Sequence, residues 1–421
     1  MIIFLCKKIM RWQNYFQLEK LEKFSFSRFI SSTIAFGVLH TSLICCVLIQ
    51  YFKDMGMLPM QLSAIIVSKR ILRLFCDTFF GILFDRFGAK VVFITGRLLK
   101  LSSYFILLFC PNFIGFVVAM LIDGASYSSI YGKISSYIYN NLSVKRKLKL
   151  FPKAMSLYYL CMDATVAMMT FFAGILLRSY GYDVLIYISI ISNVFSIILL
   201  VRFVPSGRSK HMQKYQSKSI TDIFMTLKQV IKYRPAFLYL IGFYGIVSFL
   251  TWQFHSISSL VLLDMGVSSV NVAMCGALLK TFMGIGALLS FLFFSNKVYL
   301  LRYLVLLFVI IVFGFISMYF YNLYLFYLFC VFIVLSYTIM EVSIEKNFEF
   351  YSDKTIRGTA ISLAMTFCSI IAILSNLLVG VLAQKYSYHT ALCILMACFV
   401  CFVAFLLIKL IKTNDLRRDN I

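Results

Sequence analysis

Apolar stretches of about 20 residues recur along the whole chain, separated by short polar or turn-rich breaks. As helices, runs of that length cross a hydrocarbon core of roughly 30 Å. Counting them predicts twelve spans, with cores at 29–52, 59–84, 91–110, 113–141, 153–178, 183–204, 236–263, 267–294, 299–320, 322–345, 358–384 and 388–409. The runs are continuous and do not alternate, which excludes a membrane β-barrel. The expected fold class is therefore an all-α polytopic membrane protein.

A long polar interruption at 205–235 divides the spans into two sets of six. The expected organisation is an N-terminal segment (1–28), a six-helix bundle (29–204), a basic linker (205–235), a second six-helix bundle (236–409) and a tail (410–421). The halves also resemble each other. A shift of 206 residues lays the segment from Phe151 onto the segment from Arg357, so that Ser156 and Leu157 meet Ser362 and Leu363, Gly174 meets Gly380, and Tyr182 meets Tyr388. A repeat at that level predicts two pseudo-symmetric bundles related by an axis along the membrane normal, an architecture of transporters.

Composition agrees, with 62% hydrophobic residues and only 13% charged ones. The net charge of +24 is not spread evenly. Lys and Arg gather in the N-terminal segment, the 2–3, 4–5, 8–9 and 10–11 connections, the linker and the C-terminal tail. The opposite side holds Lys53, Arg178 and Lys385. That is the positive-inside pattern, and it places both termini in the cytoplasm of a multi-pass protein of the cell (inner or plasma) membrane. It also makes a nucleic-acid partner the poorer reading of the basic balance. "MIIFLC" ahead of Lys7 and Lys8 is too short for a signal core, so the first long run is expected to serve as an uncleaved insertion signal. Most of the twelve cysteines lie in apolar segments, where they act as small hydrophobes. Cys398 and Cys401 have no partner pair, so neither a metal site nor a cofactor is expected.

One stretch is specific. "GILFDRFGAK", residues 81–90, resembles the G-x-L-x-D-R-x-G-R-K signature of the major facilitator superfamily through Gly81, Leu83, Asp85, Arg86, Gly88 and Lys90, with Ala89 departing from it. "FCDTFFG" just before it is similar to an acid-x-Pro-x-Gly lead-in, with Asp77 at the acid and Phe79 in place of the proline. The resemblance implies a monomeric secondary transporter of the twelve-span, two-bundle type, moving a small solute by alternating access without a cofactor. It implies a cytoplasmic gate at the 2–3 loop, where Gly81 and Gly88 let the chain turn and Asp85 meets the N-terminus of span 11 near Gly358. Two departures weigh against drug–proton export: span 5 lacks that branch's Gly-Pro signature, and Met120 stands where its span 4 arginine would be.

Charges at membrane depth are costly and usually face a cavity or a partner. Arg73 and Asp77, four apart on span 2, share a face, and Lys100 on span 3 is expected at the depth of Asp77. The candidate substrate or proton pathway comprises His40, Arg70, Arg73, Asp77, Asp123, Lys133, Asp163, Trp252, Gln253, Lys280, Tyr337 and Glu341. Within it, Arg70, Arg73 and Lys280 suit an anionic or zwitterionic solute. Asp123, Asp163 and Glu341 suit a coupling proton. A transporter-like receptor that moves nothing, or a membrane transferase, are the other classes this composition admits. The loops carry no paired-acid, His-acid or metal-ligand motif that an integral-membrane enzyme would need.

Overall fold

The computed structural model describes residues 43–130, 133–134, 137–138, 151–204, 257–293, 309, 312–314, 316, 319, 322–335 and 357–412. Among these residues the structure is helical and holds no strand. Helices α1 (Leu43–Asp54), α2 (Pro59–Phe87), α3 (Ala89–Phe109) and α4 (Phe113–Ile130) carry spans 1 to 4. Helix α5 (Phe151–Phe203) carries spans 5 and 6. In the second half α6 (257–264) closes span 7, and α7 (Ser269–Phe293) is span 8. Helix α8 (Leu323–Leu335) lies in span 10, while α9 (Arg357–Lys385) and α10 (Tyr388–Lys412) are spans 11 and 12.

Two expected loops shrink to single glycines. The 81–90 stretch is not a loop: α2 runs to Phe87, so Gly81, Asp85 and Arg86 are helical, and α3 begins at Ala89. Only Gly88 turns the chain, at φ 83, ψ 171. Spans 5 and 6 are likewise separated by Gly181 alone, at φ 74, ψ −171. Both are backbone conformations that side chains exclude and glycine accepts, so a helical hairpin can be closed by one residue.

The turns at the opposite ends of spans 1 and 7 are copies of each other. After α1, Gly56 N donates to Lys53 O (2.9 Å) and Met57 N to Phe52 O (3.2 Å); after α6, Gly266 N donates to Leu263 O (3.1 Å) and Val267 N to Leu262 O (3.0 Å). With φ 79 at Gly56 and φ 81 at Gly266, these are matching glycine C-caps in which the left-handed residue returns the last carbonyls to use.

Among the described residues, the two most extensive contacts between the halves are helix crossings related by the same repeat. Helix α7 packs along α5, and α9 packs along α2. At the first crossing a Cβ on Gly174 would stand 3.3 Å from Ala273 Cβ, and at the second a Cβ on Gly380 would run into the Ser63 side chain. Gly174 and Gly380 are partners in the repeat, and Ser63 and Ala273 stand 210 residues apart, as do Gly56 and Gly266. Small residues at these points bring the helix axes together where lipid offers no hydrophobic drive to do so. Outward, α3 to α5 and α8 expose Phe109 (73%), Ile191 (68%) and Leu328 (45%). Such a surface fits a bilayer, where apolar side chains outside cost nothing.

Candidate functional site

Two lysines from neighbouring helices converge on Asp123. This carboxylate, 2% exposed on α4, is paired with Lys69 Nζ of α2 at 2.6 Å and with Lys100 Nζ of α3. The approach of α2 to α4 depends on Gly124, since a Cβ there would collide with the Lys69 carbonyl. Lys100 also donates to Cys45 Sγ of α1 (3.1 Å) and lies 5.2 Å from the Tyr104 ring. One turn along α2, Arg73 Nε stands 3.6 Å from Asp77 Oδ2, and its guanidinium stacks 4.6 Å over Tyr127. Lys133 donates to the Asp77 carbonyl at 2.9 Å. Charges, rings and hydroxyls thus tie α2, α3 and α4 into one polar seam.

The seam redistributes the residues expected from the sequence. Arg73 and Asp77 do come together, but Lys100 goes to Asp123 and not to them. Arg70 lies half-buried on α2, the same helix as Arg73 and Asp77. In the 81–90 stretch, Gly81 has open space around it, and Lys90 Nζ donates to the Val201 carbonyl at the end of α5 (2.7 Å). The side chains of Asp85 and Arg86, and of α9 around Gly358, lie outside what the structure describes, as do His40, Trp252, Gln253, Tyr337 and Glu341.

A second polar group sits at the end of the molecule away from Gly88, and the sequence reading did not find it. Asp54, closing α1, accepts from Tyr182 Oη (2.5 Å) and from Ser269 Oγ of α7 (3.2 Å). Asp264, closing α6, accepts from Lys53 Nζ (3.0 Å) and from the backbone N of Tyr388 (3.1 Å). Lys53 lies 6.0 Å over the Tyr388 ring. Each acid therefore bonds a tyrosine position of its own half and a group of the other half. The signal was available: "DMG" occurs at 54–56 and again 210 residues later at 264–266, four residues off the 206-residue shift that relates Tyr182 to Tyr388.

Between these layers, α5 crosses α7 at Asp163. The residue is 2% exposed, and its Oδ1 has no hydrogen-bond partner among the described residues. Gly284 of α7 packs beside it, where a Cβ would lie 3.8 Å from Asp163 Cβ, an ordinary contact distance. Lys280, one turn earlier on α7, is the charged group whose field reaches Asp163, and its Nζ donates to Met283 Sδ at 3.1 Å. No cluster of His, Cys, Asp and Glu suited to a metal occurs among the described residues.

Comparison with known proteins agrees with this layout. The model of the Major Facilitator Superfamily matches residues 26–349. The solved structure of the nucleoside transporter NupG superposes with a TM-score of 0.68 at 16% identity, covering 93% of this chain and 100% of that one. A bacterial homologue of the human lysosomal transporter Spinster, in an inward-facing and unoccupied conformation, superposes with a TM-score of 0.66 at 14% identity, covering 92% and 96%. No curated protein matches the sequence.

Proposed function

Because the chain belongs to the major facilitator superfamily, we propose that it is a secondary active transporter that moves a small solute across the cell membrane by alternating access. The membrane-transporter class follows from the family and the fold. Its mechanism rests on one observation. The two halves are joined at the end away from Gly88 by the crossed contacts of Asp54 with Ser269 and of Asp264 with Lys53. Polar contacts of this size form and break readily in the presence of water, unlike an apolar seal, so they suit a boundary that must open in every cycle.

On this reading the halves rock about the α5–α7 and α2–α9 crossings. The Asp54–Asp264 end is the outer gate, closed in this arrangement. The Gly88 turn and its neighbours Asp85 and Arg86 form the inner gate. Both termini and the basic 205–235 linker lie in the cytoplasm, where the positive-inside pattern places them, and the working unit is a monomer in the lipid bilayer. Arg70, Arg73, Asp77, Asp123 and Lys133 form the polar wall of the N-terminal half. His40, Trp252, Gln253, Lys280, Tyr337 and Glu341 complete the pathway.

The test is uptake into proteoliposomes holding the purified full chain, screened across nucleosides, organic anions, amino acids and sugars, with and without a pH gradient. Saturable flux of one class, lost when the Asp54–Asp264 end is cross-linked shut, supports the proposal. A chain that moves no solute from any class, yet still binds one tightly, is a receptor and not a transporter.

A further inference from the structure

We infer that Asp163 is the residue that takes up and releases the proton coupled to transport, with Lys280 of the other half as the charge that faces it. This rests on the transport reading above. The residue lies where the halves cross, so its surroundings must change whenever they rock. On one side of it is α5 of the first half, and on the other Gly284 and Lys280 of α7.

Three features support the assignment. First, the carboxyl is enclosed, and one of its oxygens has no partner among the described residues. A dry site short of hydrogen-bond donors accommodates a carboxylic acid far more cheaply than a bare carboxylate. Second, it is not one of the fixed ion pairs. Asp123 is held by two lysines and Asp77 by Arg73, whereas the charge acting on Asp163 belongs to the opposite half. Third, packing does not require an acid here. In the repeat Asp163 corresponds to Ser369, and Lys280 corresponds to Arg70, so the equivalent α2–α9 crossing keeps the cation and has a buried hydroxyl in place of the carboxyl.

The other titratable groups on elements packed along α5 are Cys45, Cys46, Tyr51, Lys53 and Asp54 on α1, Lys90, Arg97, Lys100 and Tyr104 on α3, and Cys275 on α7. The step balances simply. With the crossing packed as here, the carboxyl carries its proton. When the halves rock and water reaches the crossing, the O–H proton passes to water, and the carboxylate left behind is offset by the Lys280 ammonium. Repacking requires a proton to be taken up again.

The sign follows. If the packed, outer-closed arrangement binds the extra proton, raising the pH favours the open one. Hydrogen–deuterium exchange of the full chain in lipid nanodiscs, corrected for the intrinsic pH dependence of exchange, reads this at the outer turns 54–58 and 264–268. We expect exchange there to rise with pH through a single transition. Asp163→Asn should abolish the transition and leave the turns protected at all pH values, while Asp163→Glu should retain it. Lys280→Met should move its midpoint to higher pH. Infrared difference spectra should show a protonated-carboxyl band titrating with the same midpoint and missing in Asp163→Asn, a readout that a merely structural role would not move. A transition that persists in Asp163→Asn overturns the inference, as does the absence of any transition in the wild type. Solute flux in proteoliposomes would stand in either case, so failure of this assignment is distinguishable from failure of the transport reading. Loss of flux in Asp163→Asn with the pH response intact would mean that the carboxylate holds solute, and would also overturn it.

Discussion

Asp54 and Asp264 stand at the same position of two matching turns, and each is held by a group from the opposite half: Ser269 donates to Asp54 at 3.2 Å and Lys53 to Asp264 at 3.0 Å. The acid that ends α1 is fastened to α7, and the acid that ends α6 is fastened back to α1. Neither half can move away at this end without breaking both contacts. The same two acids bond Tyr182 and Tyr388 within their own halves, so each turn stays intact when the contact between halves is lost.

These contacts should set the balance between closed and open outer ends without deciding whether the protein folds. The Lys53 and Asp264 side chains are 29% and 26% exposed, so water competes for them. A pair of this kind contributes up to about 1 kcal/mol, roughly fivefold in a population. Asp264→Asn should raise the open fraction by about that factor, and Asp54→Asn with Asp264→Asn should raise it further. Pulsed electron spin resonance between labels at the exposed Tyr180 and Tyr386, in a background without native cysteines, reads the distribution. Unchanged distances in the double variant would show that these acids do not hold the end closed.

The Asp123 seam should behave in the opposite way. Removing the carboxylate strands Lys100 in the interior and leaves the part-exposed Lys69 without its partner, and breaking a buried pair typically costs about 3–5 kcal/mol. Asp123→Ala is expected to unfold at clearly lower temperature in detergent, with reduced yield. Adding Lys100→Met should recover part of the loss, because one stranded charge goes with its partner. If the double variant is no more stable than Asp123→Ala, the two groups are not coupled and the seam is not the structural element described here.

The two glycines of the 81–90 stretch should separate cleanly. Gly88 adopts φ 83, ψ 171, a region essentially closed to other residues, where a side chain costs about 1–3 kcal/mol. Gly81 is helical, and a Cβ added there would meet nothing within 4 Å, so Gly81→Ala should be neutral or raise stability by up to about 1 kcal/mol. Gly88→Ala should lower the melting temperature, and Gly181→Ala should do the same at the equivalent one-residue turn. Equal effects at Gly81 and Gly88 would contradict the continuous α2 helix.

That contrast also shows what the sequence can and cannot convey. Span order, the family and the repeat were readable, because apolar run length and a shift of 206 residues are properties of the chain alone. The pairing of Arg73 with Asp77 was readable for the same reason, since four residues apart on a helix is one face. The partner of Asp123 was not, because Lys69, Lys100 and Asp123 come from three helices whose relative rotation is set by packing at Gly124. The outer contacts were hidden differently. Asp54 and Asp264 read as ordinary turn residues until the second "DMG" is laid on the first and the two halves are brought together.

The close approach of the halves offers the sharpest test of their pseudo-symmetry. Gly174 and Gly380 occupy equivalent crossings with unequal room: a Cβ at Gly174 would meet Ala273 Cβ at 3.3 Å, whereas at Gly380 it would overlap the Ser63 side chain, with the Pro59 carbonyl at 3.5 Å. Extra volume in a filled contact costs about 1–3 kcal/mol unless a neighbour yields. Gly380→Ala should therefore push α9 off α2, widening the Tyr180–Tyr386 distance and favouring the open outer end. Gly174→Ala should have the weaker effect, because only a methyl has to give. Ser63→Gly introduced with Gly380→Ala restores the space and should return the distance distribution to that of the wild type. If Gly174→Ala proves the more disruptive of the two, or if Ser63→Gly fails to rescue, the α2–α9 crossing does not limit how closely the halves approach.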